Sequence, residues 1–201
     1  TLRHTLFPYT TLFRSLNRPV EFAARAIAAI NEALGTEFEE AEDHVEANAA
    51  RDGIVEVSGE LKTIAVGLTK IANDIRWLGS GPRNGLGELE LPAVQPGSSI
   101  MPGKINPVMA EALILVGAQV IGHDAAITLG GLGGYFELNL MMPLLAYDLL
   151  RSITWLGHAV RGFTERCVVG IGVNAERCSE DVERSLALAT GLAPFLGYDA
   201  A

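Results

Sequence analysis

Apolar positions in this chain recur at helical spacing over most of its length. From Pro19 onward, Ala23, Ile27, Ile30 and Leu34 step by four, three and four residues, one face of an α-helix, and Gly35 supplies a stop. The acidic stretch TEFEEAEDHVEANAARDG follows and reads as a solvated loop or a polar helix face. The clearest helix comes next. Val57, Leu61, Ile64, Leu68, Ile71, Ile75 and Leu78 alternate steps of four and three, a heptad seam of the kind that packs against neighbouring helices. Gly and Pro in GSGPRNGLG, residues 79–87, break it, and ELELP suits a short strand or an extended turn.

A helix from Val108 to about Thr128 is apolar almost all round, so its neighbours must enclose it. LGGLGG, residues 129–134, interrupts it. Another four-three helix begins near Pro143, with Leu145, Leu149, Ile153, Leu156, Val160, Phe163 and Cys167 on one face. VVGIGVN is a break, and Asn174 can cap a last helix through Thr190. No strand–helix–strand alternation and no internal repeat is present. The pattern predicts an all-α fold, an elongated helical bundle. Enclosing the helix after residue 107 takes more surface than one small bundle offers, which predicts a homo-oligomer.

Composition narrows the setting. The chain has 201 residues, 49% hydrophobic and 19% charged, enough to bury a substantial core. A net charge of −9 argues against nucleic acid or an anionic membrane as partner. Cys167 and Cys178 form no CxxC pair, so neither a disulfide framework nor a zinc site is indicated, and a reduced, cytoplasmic setting is expected. The best candidate for a membrane segment is the apolar run Ala112 to Ala118. It is soon followed by Gln119, His123 and Asp124 and falls short of the roughly 18 apolar residues a span needs, so it reads as a buried helix. The opening TLRHTLFPYTTLFRS stands apart: it lacks acidic residues and crowds Phe7, Tyr9 and Phe13. A transit peptide is one reading. Thr5 to Ser15 also resembles a translated sequencing-library adapter, the preferred reading, which sets residues 1–15 outside the natural fold. Losing Arg3 and Arg14 takes the net charge from −9 to −11.

The chemistry concentrates in GSSIMPGKINP, Gly97 to Pro107. Ser98 and Ser99 sit on a loop hinged by Gly97 and Gly103, able to close over a ligand. Lys104 is the only Lys or Arg between Arg83 and Arg151. Asn106 offers an amide and suits a helix N-cap, with Pro107 in the first turn. The helix behind them aims backbone N–H groups and a partial positive charge at the loop, a place for a carboxylate or phosphate. On residue types alone the loop is equally a solvated connector. It is not a phosphate-binding GxxxxGK[ST] loop, whose spacing differs.

GSSIMPGKINP resembles the GSSxMPxKxNP signature of the fumarase/aspartase superfamily. KIANDIRWLGSGPRNGLGELELP, AQVIGHD, GGYFELNLMMP, RCVVGIGVNAERC and LGYDAA each resemble class II fumarase segments in the same order, together covering Leu16 to Ala201. Gly103 and the FELN of residues 136–139 resemble fumarase more than aspartase. The resemblance implies a central helical domain over residues 16–173, the beginning of a small helical C-terminal domain at 174–201, and a homotetramer whose helices form one long bundle. It implies reversible hydration of fumarate to (S)-malate, with no metal and no organic cofactor. Ser98 matches the base that takes the C3 proton of malate. Lys104 and Asn106 match positions that bind the substrate carboxylate, Lys104 also stabilising the aci-carboxylate intermediate. Ser99 and the backbone of Ile105 match binding positions, and Glu111 matches a glutamate supporting the acid/base partner; on residue type alone it is an acid favoured early in a helix.

Departures from the family pattern are equally specific. The Thr-His motif that handles the C2 hydroxyl is absent, and His4 in the adapter-like segment does not replace it. His44 and His158 read as surface or packing residues. His123 stands where the family usually has Asn. Since the family's sites draw on three subunits, this chain reads as an internal-to-C-terminal fragment holding one contribution, inactive alone. Another superfamily lyase, such as an aspartate ammonia-lyase, and a non-catalytic oligomerisation module are the alternatives.

Overall fold

The computed structural model describes residues 19–97 and 100–200, together with the backbone of Thr5–Phe7. The all-α class forms as expected. Seven helices carry the described residues: α1 (Phe22–Leu34), α2 (His44–Ala49), α3 (Asp52–Leu78), α4 (Val108–Gly131), α5 (Met142–Arg166), α6 (Ala175–Arg184) and α7 (Ala187–Leu196). Three short strand pairs accompany them. Thr5–Phe7, in the segment the sequence sets apart, lies parallel to Glu39–Glu40; Leu89–Glu90 lies antiparallel to Gly172–Val173, and Gly134–Tyr135 antiparallel to Leu138–Asn139.

Local chemistry explains where the helices start and stop. Gly35 ends α1 in the left-handed region, φ 65°, its N–H donating to the Asn31 carbonyl. Asp43 caps α2, accepting from the N–H groups of Val45 (2.8 Å) and Glu46 (3.1 Å), so the acidic stretch is loop and helix in succession. The buried Arg51 closes the other end of α2, donating to the carbonyls of Ala47, Asn48 and Ala50. Burial lowers its guanidinium pKa from the ordinary value, against the opposing pull of Glu46. α4 runs to Gly131, beyond the expected end at Thr128. The expected last helix is two: Ser185 is extended at ψ 142°, and its Oγ accepts from the Ala187 N–H, ending α6 and starting α7.

The face of α3 differs from the predicted seam. Ser58, Ala65 and Ala72 are its buried residues, one position beyond Val57, Ile64 and Ile71, which stay 38–50% exposed. Small residues let α4 approach closely. A Cβ on Gly117 would collide with the Thr69 hydroxyl and lie 3.4 Å from the Ala65 carbonyl oxygen.

The chain divides into two compact units. One comprises Thr1–Leu61 and Ile121–Ser152. Its core is partly polar: Ser58 Oγ donates to Asp124 Oδ1 at 2.8 Å, and His123 Nδ1 lies 2.9 Å from Ser152 Oγ. Leu145 fills the space above Gly130, where a Cβ would come within 2.6 Å of its Cδ2. Asn139 secures the hairpin by donating to the Gly130 carbonyl (3.0 Å) and accepting from the Met141 N–H (2.8 Å). The other unit comprises Lys62–Val120 and Ile153–Ala201. Here Asn174 caps α6 through the Arg177 N–H (3.1 Å), and Arg177 Nε donates to the Leu86 carbonyl (3.0 Å).

α4 is the one helix among the described residues long and apolar enough to cross a membrane, at a mean hydropathy of 1.6. That is more than the heptapeptide Ala112 to Ala118 suggests. Its second half buries His123 and Asp124 against polar protein partners, and Leu113, Val120 and Ile127 are enclosed, but only 33% of its apolar stretch is buried, so the expected all-round enclosure is not reached within one chain.

Candidate active site

Backbone geometry shapes the loop before α4. The Lys104 N–H donates to the Met101 carbonyl at 3.2 Å, closing a turn with Pro102 and Gly103 at its centre. Gly103 has φ 78°, the value a type II turn requires at its third position, where Gly is favoured and a preceding Pro is common. Gly97 meets the other end of this turn. A Cβ there would overlap the Lys104 carbonyl oxygen and stand 2.7 Å from its carbonyl carbon. The loop is therefore clasped at its base, with Gly97 against Lys104.

Lys104 is exposed, Ile105 half exposed and Asn106 half buried, three consecutive residues presented on extended chain just ahead of α4. The first bond of the helix runs from the Glu111 N–H to the Pro107 carbonyl at 3.0 Å. Pro107 thus holds the cap position expected of Asn106, whose carbonyl accepts from the Val108 N–H at 2.8 Å. The amides of the first turn point back toward the loop. Glu111 lies half buried in that turn, where the helix dipole favours its charge. Ser98 and Ser99 lie outside the described residues. So the structure brings Lys104, Ile105 and Asn106 together with the N-terminus of α4 and Glu111. That assembly offers a cation, an amide and helix N–H groups to an anion.

Two of the other histidines have partners of their own. His44 pairs with Glu40 at 3.2 Å, and His123 belongs to the buried cluster of the first unit. A cavity of about 270 Å³ is lined by Glu88, Cys178, Asp181, Val182, Ser185 and Ala187, none of them from the loop. No group of three or more metal-ligating side chains is found among the described residues. The steric role of Gly97 is the functional feature that residue types alone did not show, since only the fold brings Lys104 against it.

Known proteins are similar to this chain. A family model described as "Lyase" matches residues 10–122, a stretch beginning within the adapter-like segment. The chain belongs to that lyase family, the fumarase/aspartase superfamily. It is 52% identical over 192 residues to a class II fumarate hydratase of Thermosynechococcus vestitus, covering 96% of this chain and 41% of that protein. To a mitochondrial fumarate hydratase of Danio rerio it is 49% identical, covering 96% and 38%. Among solved structures, the class II fumarase of Schistosoma mansoni matches with a TM-score of 0.84 at 34% identity, over 94% of this chain and 43% of that one. The chain thus spans about two-fifths of the length of the relatives it matches in this lyase family.

Proposed function

We propose that the chain is part of a class II fumarate hydratase, catalysing the reversible anti addition of water to fumarate to give (S)-malate. The observation that carries this reading is the clasped GSSIMPGKINP loop at the N-terminus of α4, in a chain about half identical to proteins of that name. A dicarboxylate suits the loop, because Lys104 and Asn106 stand just ahead of the first-turn amides of α4, groups that favour a carboxylate. In the dehydration direction, Ser98 as alkoxide takes the C3 proton of malate. The electron pair passes into the adjacent carboxylate, and the resulting aci-carboxylate is stabilised by Lys104. The C2 hydroxyl then leaves as water, with a proton from an acid supplied by another part of the full-length protein. Ser99 and the Ile105 backbone bind substrate, and Glu111 supports the acid/base partner.

The same reading makes residues 16–173 a central helical domain and 174–201 the start of a smaller one. It makes the working form a homotetramer in the cytoplasm; the fish relative is named as mitochondrial. The test is an assay of the complete gene product. Malate should yield fumarate, and Ser98→Ala should lower kcat by a factor on the order of 10² to 10⁴, the usual contribution of a positioned base. Fumarate from aspartate but not from malate would replace this reading with an ammonia-lyase. Undiminished malate turnover by Ser98→Ala would remove the serine from the mechanism.

A further inference from the structure

The buried polar groups of the first unit take no part in the proposed chemistry. Ser58, His123, Asp124, Asp148 and Ser152 are each no more than 8% exposed, on three helices whose buried faces are otherwise apolar. Those faces repeat. Ser58, Ala65 and Ala72 follow one another at intervals of seven on α3, and Leu113, Val120 and Ile127 do so on α4. A face with that period presents nearly the same surface after sliding by one heptad, about 10 Å at 1.5 Å per residue. α4 and α5 are tied by the short hairpin of residues 132–141. α3 and α4 are joined only through residues 79–107, long enough to follow such a slide.

We propose that the Ser58–Asp124 hydrogen bond, backed by the His123–Ser152–Asp148 cluster, fixes the axial register of α3 on α4. In the observed register Ser58 donates to the buried Asp124 carboxylate at 2.8 Å, and removing a donor from a buried carboxylate is costly. One heptad along α3 the residue is Ala65, which has no side-chain donor. One heptad the other way it is Arg51, which precedes α3 and is committed to the carbonyls of Ala47, Asn48 and Ala50. The neighbouring cluster holds Asp124's own helix in place. Ser152 donates its hydrogen to the Asp148 carbonyl at 2.8 Å, so its oxygen accepts from His123 Nδ1–H. The other ring nitrogen lies 3.8 Å from Asp148 Oδ1. Polar residues within a heptad interface fix register in this way at some cost in stability.

Spin labels on α3 and α4 measure the register directly. Glu56→Cys and Thr128→Cys, both exposed, are labelled in a Cys167→Ala, Cys178→Ser form of the full chain diluted with unlabelled chain. The starting form should give one narrow distance. Ser58→Ala/Asp124→Leu should keep cooperative melting and add a second population displaced by up to about 10 Å. His123→Asn, whose amide still donates to Ser152, should keep the single distance. Ser58→Ala/Asp124→Ala, which adds no volume, is read the same way if leucine is not accommodated. A single unchanged distance in the doubly apolar variants overturns the proposal and assigns the register to the steric notch of Gly117 against Thr69. Failure of both doubly apolar variants to fold overturns it too, because the layer would then be supplying stability.

Discussion

Gly97 has no room for a side chain, because the Lys104 backbone occupies the space a Cβ would take. Gly97→Ala must therefore open the clasp or tilt the chain on either side of it. Misplacing catalytic groups by about 1 Å can cost on the order of 10²-fold in rate. The expected outcome in the complete enzyme is a loss of that size in kcat/KM with an unchanged far-UV CD spectrum; wild-type kcat/KM would show that the clasp is irrelevant to turnover. The residue types suggested an anion site at Lys104 and Asn106 and placed the helix start one residue early, since Pro107 takes the cap position expected of Asn106. The glycines were assigned a shared hinge role, and the fold separates them. Gly103 answers a backbone angle and Gly97 a close approach, which arises only once residues seven apart are folded together. The cysteines allow a second test. Burial pushes the Cys167 thiol pKa up, so the associated stability is fully present below the ordinary thiol value and is lost as pH rises through the elevated one. Cys178 is less buried. A disulfide reagent at pH 8 should titrate Cys178 in the native chain and Cys167 only after denaturation. Replacing Cys167 by Ala should flatten the fall in melting temperature between pH 8 and 10.

Between elements, the contact of α3 with α4 sets a propensity gain against a steric cost. Alanine in place of Gly117 favours the helix by about 1 kcal/mol. The new methyl would meet Thr69 Oγ1, however, and overpacking of this kind typically costs about 1–3 kcal/mol. The Thr69 hydroxyl is buried without a hydrogen-bond partner among the described residues, so Thr69→Ala alone should leave stability equal or raised. Gly117→Ala should destabilise, and the double substitution should recover most of that loss. Denaturant melts of the four chains decide, and an additive cycle would show that the two residues do not interact. This contact also shows why the predicted seam was misplaced. The 57–61–64 series is the most apolar line on α3, and hydrophobicity alone selects it. Within one chain, the neighbouring Ser58–Ala65–Ala72 line packs instead, because small side chains allow the closer helix approach. Caps were easier to read than faces, since Gly35 and Asn174 act through their own backbone or a bond three residues away. The split at Ser185 was missed, because a serine that turns the chain there could equally sit within a helix.

At the scale of the molecule, α3 is not alone in leaving apolar residues uncovered. Leu115 and Leu129 on α4 are 71% and 64% exposed, and Leu144, Tyr147, Leu150 and Ile153 form an outward row on α5. Exposed aliphatic and aromatic residues in such number suit interaction with another chain. Under the proposed function that chain is a second copy, whose own heptad lines would supply matching knobs and holes. The sequence leads to the same expectation from the all-round apolar character of α4, although it does not say which residues of α3 face outward. Ile64 and Leu115 provide the test, because both are exposed within one chain and neither adjoins Lys104 or Asn106 in sequence. A charge at Ile64 or Leu115 would cost little in an isolated chain. In a symmetric assembly it would be buried once per copy, each time losing about 1.5–3 kcal/mol of apolar burial and adding desolvation. Ile64→Glu/Leu115→Glu should therefore keep its helical CD signal while its mass by light scattering falls from that of four chains to that of one. A four-chain mass unchanged by the two glutamates would place the interface elsewhere. A single-chain mass for the unsubstituted protein would show that these 201 residues do not suffice to assemble.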